Sequence, residues 1–212
     1  MPHIPLVDDT TTLSVLPFDR ALEQALEPQA DYNVDNWLYV PPHYEEYRYI
    51  LGTRGRNPLI CIGINPSTAR PDALDNTLKS VERIAHYNGY DSFIMFNVSA
   101  QRATSPDDME KSRNMALHAE NMKAFAYALS LYGESRTPAI WAAWGAIIEK
   151  RTYLFDCIRD MIEIGSQCSA RWYTAGKRSK VGHPHHPLYL AKNSVLEDFE
   201  PKAYLDRFPN IK

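Results

Sequence analysis

Three polar side chains stand where apolar runs of the chain end. Asn65 closes Gly63-Ile64-Asn65-Pro66-Ser67, Asn97 sits within Phe96-Asn97-Val98, and His186 opens His186-Pro187-Leu188-Tyr189-Leu190. A carboxamide offers one acceptor and two donors, so Asn65 could position a water through its carbonyl and Asn97 could read the edge of a nucleobase or an amide. Each also has a plainer use: Asn65 as a turn residue before proline, and Asn97 as a cap on the connection to Arg102. A neutral His186 can donate to a developing oxyanion, with the next proline fixing the backbone beside it. Asp75 adds a carboxylate, which accepts a proton where an amide does so poorly.

Other chemistries fit less well. Ser67, His186 and Asp75 could form a nucleophilic triad, yet Ser67 lacks the glycine-flanked elbow of such serines. His183, His185 and His186 suggest a metal, but histidines interrupted by prolines match neither the helical HExxH face nor the paired cysteines of zinc sites. Gly52-Thr53-Arg54-Gly55 matches neither nucleotide-binding loop. Neither a metal nor a cofactor is expected.

These residues need elements to hold them. Residues 59–64 are apolar and β-prone and stop at Asn65-Pro66, as a buried strand entering a loop should. Leu74, Leu78, Val81 and Ile84 then recur at helical spacing, with Asp75 near the start and Asn88-Gly89 at the end. A second strand is expected over 92–98, with a helix from about 107 to 131. A third over 139–144 precedes a helix carrying Ile148, Phe155, Ile158 and Ile162, and a fourth over 171–174 leads into the histidines. Strands alternating with helices imply an α/β fold around a mostly parallel four-stranded sheet, a three-layer sandwich with helices on both faces. Residues 1–47, with Trp37, Tyr39, Tyr44 and Tyr47, read as an aromatic-rich extension packed on the domain formed by 48–212. Residues 48–51 and 58–62 are candidates for a hairpin.

At 212 residues the chain suits one domain with a sizeable core. A formal net charge of -3 argues against a protein that coats nucleic acid nonspecifically. A basic rim on an acidic body stays open: Arg171, Lys177, Arg178, Lys180 and Lys192 surround the histidines, and Arg48, Arg54 and Arg56 precede the first motif; solvated surface charge explains such runs equally well. Cys61, Cys157 and Cys168 form no CxxC pair, and Cys61 reads as a small buried hydrophobe. The start, Met1 to Asp9, lacks the basic and apolar regions of a signal peptide and no membrane span follows, so a cytoplasmic location is expected.

The motif set resembles the uracil-DNA glycosylase superfamily, and the chain as a whole resembles the prokaryotic DUF1643 family, which the shared motifs would make a distant branch of it. The resemblance covers about residues 48–190. Gly63-Ile64-Asn65-Pro66 is similar to the first motif of mismatch-specific uracil and thymine glycosylases, in which the asparagine positions the attacking water. Phe96-Asn97-Val98 resembles the base-reading strand end, and Ala143-Trp144-Gly145-Ala146 the Trp-Gly-Ser turn. His186-Pro187-Leu188-Tyr189-Leu190 resembles the last motif, whose histidine stabilises the leaving base and whose leucine wedges into the duplex. Leu188 replaces the serine expected after His-Pro, and with it a phosphate contact. Ser67 stands where uracil-specific enzymes carry a bulky tyrosine, which implies room for a base substituted at carbon five.

The resulting expectation is a monofunctional DNA glycosylase, needing no cofactor, that flips out a 5-substituted or hypermodified pyrimidine and leaves an abasic site. Phage DNA carrying glucosylated hydroxymethylcytosine is one source, and phage defence one use. Asn65, His186 and Asp75 are the expected catalytic residues, and Asn97, Phe96, Ser67 and Ile64 the base-binding ones. Leu190, Tyr189, Arg102, Lys177, Arg178 and Lys180 would contact DNA, double-stranded or single-stranded. No membrane or obligate protein partner is expected. The alternatives are a nucleoside or nucleotide hydrolase, and a module that binds a modified nucleotide without cutting it.

Overall fold

The computed structural model describes residues 13–209, so the segment Met1 to Asp9, expected to lack a signal peptide, lies outside the described residues. Four parallel strands form the centre: β3 (Pro58–Gly63), β4 (Ser92–Asn97), β5 (Ala139–Ala142) and β6 (Arg171–Ala175). Almost all of their residues are buried, which is why these segments read as continuous apolar runs rather than alternating ones. Helices α2 (Asn76–Tyr87), α3 (Met115–Ser130) and α4 (Tyr153–Gln167) connect them in turn.

The sheet has seven strands, not four. Two further strands come from the N-terminal part: β1 (Trp37–Val40), at the edge, and β2 (Ile50–Thr53) pair antiparallel, and β2 pairs antiparallel with β4. A short β7 (Leu196–Asp198) closes the other edge against β6, giving the order β1-β2-β4-β3-β5-β6-β7. The hairpin expected between residues 48–51 and 58–62 is therefore corrected: β4 takes the place beside β2. Gly52 explains the close fit, since a Cβ there would stand 2.3 Å from the Phe93 carbonyl oxygen. Helix α1 (Phe18–Leu26) packs on β1 and α3, with Phe18 edge-on to Tyr49 at 5.8 Å.

The third helix starts later than its apolar spacing suggests. A 3-10 turn at Pro106–Asp108 interrupts the segment, and Asn114 caps α3 by accepting from the Leu117 N–H at 3.1 Å. Likewise a 3-10 stretch, Gly145–Lys150, precedes α4. Cys61 and Cys157 are buried free thiols and Cys168 is an exposed one. Among the described residues no helix is long and apolar enough to cross a membrane.

The direction of travel matters for the site. From β3 the chain crosses to β4 on one side, then returns past β3 to β5 on the other. The carboxyl ends of β3 and β5 thus flank the point where the winding reverses, the place at which open α/β sheets form a ligand crevice.

Gly52→Ala would press a methyl group into the β4 backbone, which cannot rotate aside. It should destabilise the fold by about 1–3 kcal/mol, measured by urea denaturation.

Candidate active site at the carboxyl edge of the sheet

The loops after β3 and β4 are laced together by their own backbones. Val98 and Ser99 donate to the carbonyls of Gly63 and Ile64 at 2.9 and 2.8 Å, and Ala103 donates to Pro66 at 3.0 Å. Asn65 lies across this seam. Its Nδ2 donates to the carbonyls of Ala103 and Pro66 at 2.7 and 3.0 Å. Two carbonyls can be faced only by the NH2 end, so the amide orientation is fixed and Oδ1 is the end turned away from them.

Beneath the loops lie two guanidinium groups. Arg48 and Arg102 are both fully buried, at 1% and 0% exposure. Arg48 donates to the Ala69 carbonyl at 3.0 Å and to Asn97 Oδ1 at 3.4 Å. Arg102 donates to the Ser67 carbonyl and to the Tyr39 hydroxyl, and its guanidinium lies 4.6 Å from the Tyr44 ring centre. None of the four acceptors is a carboxylate. Burial and then the neighbouring Arg102 charge push Arg48 down to about 9, opposed by Tyr39 and Asp75. Burial also lowers Arg102.

Asn97 ends β4, buried. Its carbonyl accepts from Asn121 Nδ2 at 3.0 Å, fastening the strand end to α3. Phe96 points to the other face and packs on Phe125 at 5.2 Å, so it is a core residue, not a base-stacking one. Strand alternation forbids neighbours in sequence from sharing a face. Ile64 is buried as well, and Ser67 is half-buried in the braced loop.

The last motif reaches this edge through packing on α2 and on the turn after β5. Ser80 of α2 donates to the Pro187 carbonyl at 2.8 Å. Gly145, at φ +62, makes a left-handed turn that suits glycine, and a Cβ there would lie 3.6 Å from His186 Cβ. His186 Nδ1 accepts from the Leu188 N–H at 3.3 Å, so the neutral ring carries its proton on Nε2. Burial, then the His185 charge, hold this imidazole below its ordinary 6.5, while Asp75 pulls the other way. Asp75 caps α2 through the Leu78 N–H at 2.9 Å and acts electrostatically on both Arg48 and His186. It thereby links the first and last motifs.

His183 anchors the segment instead of serving as a ligand. Trp144 Nε1 donates to the Tyr204 hydroxyl at 3.1 Å, and that hydroxyl and Glu149 Oε1 each lie 2.8 Å from a ring nitrogen of His183. Among the described residues no group of three His, Cys, Asp or Glu side chains could hold a metal ion.

The expected DNA-facing residues divide. Tyr189 projects at 77% exposure, and Lys177, Arg178 and Lys180 are exposed on the loop after β6. Arg178 rests over the Phe199 ring at 5.0 Å. Leu190 is corrected from a free wedge to a packing residue: a Cβ on Gly176 would come within 2.4 Å of its Cδ2. Arg102 is corrected from a surface contact to the buried brace described above. The basic rim is also divided, because Arg171 starts β6 at the far edge and pairs there with Asp198 at 3.1 Å. Arg54 and Arg56 follow β2, which runs antiparallel to β4 and so delivers them to that far edge too. A cavity of about 340 Å³ lies at the far edge, lined by Trp172, Phe199 and Arg171 among others, and holds none of the expected site residues. Sequence reading missed Arg48 as a site residue; its place just ahead of β2 was the available signal.

The sheet and its loops define an α/β protein whose polar motifs gather at the carboxyl edge of the parallel strands. The chain belongs to the DUF1643 family, a protein of unknown function, which it matches over residues 48–188. No curated protein and no solved structure matches it.

The unfolded chain protonates His186 near its ordinary 6.5, whereas the folded chain takes up that proton only at lower pH. Stability from this group is whole above 6.5, falls as pH drops below it, and levels off once the folded ring is protonated. His186→Asn keeps an acceptor for the Leu188 N–H and removes the titration. Its Tm should fall less than that of the natural chain between about pH 7.5 and about pH 5.

Proposed function

We propose that this protein is a monofunctional DNA glycosylase that hydrolyses the N-glycosidic bond of a flipped-out, 5-substituted pyrimidine, such as glucosylated hydroxymethylcytosine in phage DNA, and leaves an abasic site. The observation that carries the reading is a half-buried histidine with its donor on Nε2, linked electrostatically through Asp75 to Arg48, which holds Asn97. The order of the four parallel strands, with the winding reversal between β3 and β5, supports a uracil-DNA glycosylase-like three-layer core.

The target bond is out of reach in a stacked duplex, so the nucleotide must be extruded. Tyr189 is the exposed side chain suited to fill the gap. As the bond breaks, positive charge builds on the sugar and negative charge on the departing pyrimidine. His186 donates from Nε2 to a base carbonyl, and a donor already in place there lowers the barrier without reorganising solvent. The Asn65 Oδ1 orients the attacking water, and Asp75 takes its proton. Asn97 binds the base edge. The small side chain of Ser67, in place of a bulky tyrosine, is what would admit a substituent on carbon five. Cytoplasmic phage defence is a use consistent with such a substrate.

The test is base release from DNA containing glucosylated or plain hydroxymethylcytosine, uracil, or no modification, with free bases and abasic sites measured together. Selective release from modified DNA is expected. His186→Ala should slow it by about 100-fold, and Tyr189→Ala should impair duplex cleavage far more than cleavage of a free nucleoside. Binding to modified DNA without any abasic product would replace this reading with the non-catalytic one; equal loss on nucleoside and duplex would favour a nucleoside hydrolase.

A further inference from the structure

One end of the Asn97 amide is committed. Its Oδ1 accepts from Arg48 Nη2 at 3.4 Å, and a guanidinium carries donors only, so turning the amide over would set donor against donor. The other end, Nδ2, is buried without a partner among the described residues, as are Nε of Arg48 and Nε of Arg102. In a guanidinium the Nε–H and one Nη–H leave in parallel from the same edge as a fork. The unpartnered Nε–H of Arg48 therefore belongs to the rigid group that already faces Asn97. Gly63 stands opposite, and a Cβ there would lie 3.1 Å from Asn97 Nδ2 and 2.6 Å from Met95 Cε. A side chain at that position would press on the amide and on Met95, so glycine leaves Nδ2 in place and unpartnered.

Every unpartnered polar atom of this trio is thus a donor, and two of its three members are cations. Pyrimidines differ in what they offer such a surface. Cytosines present ring N3 and O2 as adjacent acceptors, whereas uracils and thymine present an N3–H between two carbonyls. An N3–H facing buried donors forfeits a hydrogen bond on both sides, and sites built on hydrogen bonding discriminate most strongly in that situation.

We infer that Arg48 is a positioning residue that fixes Asn97 as a donor toward the base, so that the site takes cytosine-class pyrimidines ahead of uracil-class ones carrying the same 5-substituent. This rests on the glycosylase reading of the same site and narrows its substrate. Arg102 adds a second buried, unpartnered Nε–H, while its like charge opposes that of Arg48.

The experiment uses the full chain and two duplexes that differ only in one 5-hydroxymethylcytosine or 5-hydroxymethyluracil. Free base release is measured by mass spectrometry, and binding of the two free nucleosides by calorimetry. The cytosine-class base should be released, and its nucleoside bound, with a preference of roughly tenfold or more, the scale of one hydrogen bond gained or lost. Arg48→Gln, checked for folding by circular dichroism, should bring that ratio close to one, which a merely structural role for Arg48 would not do. Equal handling of the two bases, or preference for the uracil class, overturns the inference and leaves the glycosylase reading standing. A folded Arg48→Gln that keeps the ratio overturns the role of Arg48. Should neither duplex lose its base, the glycosylase reading fails, and nucleoside binding still decides: tighter binding of the cytosine nucleoside upholds the preference, and equal or absent binding overturns it. If Arg48→Gln does not fold, the natural chain's ratio alone decides.

Discussion

Two guanidinium groups sealed from water hold the carboxyl ends of β3 and β4 to the loops that leave them. A buried cation is costly unless its donors are used, and Arg48 and Arg102 direct their Nη donors to the Ser67 and Ala69 carbonyls, to Asn97 and to Tyr39, with each Nε left over. The loop that carries Asn65 is therefore fixed from below by charge-assisted bonds and from the side by backbone bonds to residues 98–103. That double attachment gives a short irregular segment the stiffness that a functional amide needs. It also concentrates positive charge behind the place where a departing base would become negative.

The histidine segment reaches the same edge by a different route. It is held by Ser80 at the Pro187 carbonyl, by the network of Trp144, Tyr204, His183 and Glu149, and by Leu190 against Gly176. The ring of His186 is left to do one thing, since Nδ1 is engaged by the Leu188 N–H and burial favours the uncharged form. Under the proposed glycosylase reading a neutral donor is the useful form: it would stabilise a developing anion in the transition state without binding a charged ground state equally well.

Much of this was legible in the sequence, and the rest was hidden for definable reasons. The four parallel strands announced themselves as apolar runs because both of their faces are covered. Strand β7, Leu-Glu-Asp, is an exposed edge with no such pattern; β1 sat within a stretch whose aromatic content suggested packing but not pairing, and β2 was expected to pair with 58–62 where it pairs with β1 and β4. The site motifs were visible because asparagine and histidine at strand ends are chemically conspicuous. Arg48 and Arg102 were misjudged because a charged residue reads as surface unless the topology that buries it is known, and that topology depends on the antiparallel β2. Phe96, grouped with Asn97 at the strand end, packs on Phe125, as the period of two along β4 separates the two side chains. The late start of α3 was signalled by Pro106 and Asn114, which outweighed the apolar spacing before them.

The account turns on an uncharged His186 with its proton on Nε2 at the crevice between β3 and β5. The direct measurement is the nitrogen-15 NMR spectrum of that ring in the full chain, followed through a pH titration and assigned with His186→Asn. The account predicts a protonated Nε2, an acceptor Nδ1, and a titration midpoint below the ordinary 6.5. A proton on Nδ1, or a midpoint at or above 6.5, would contradict it.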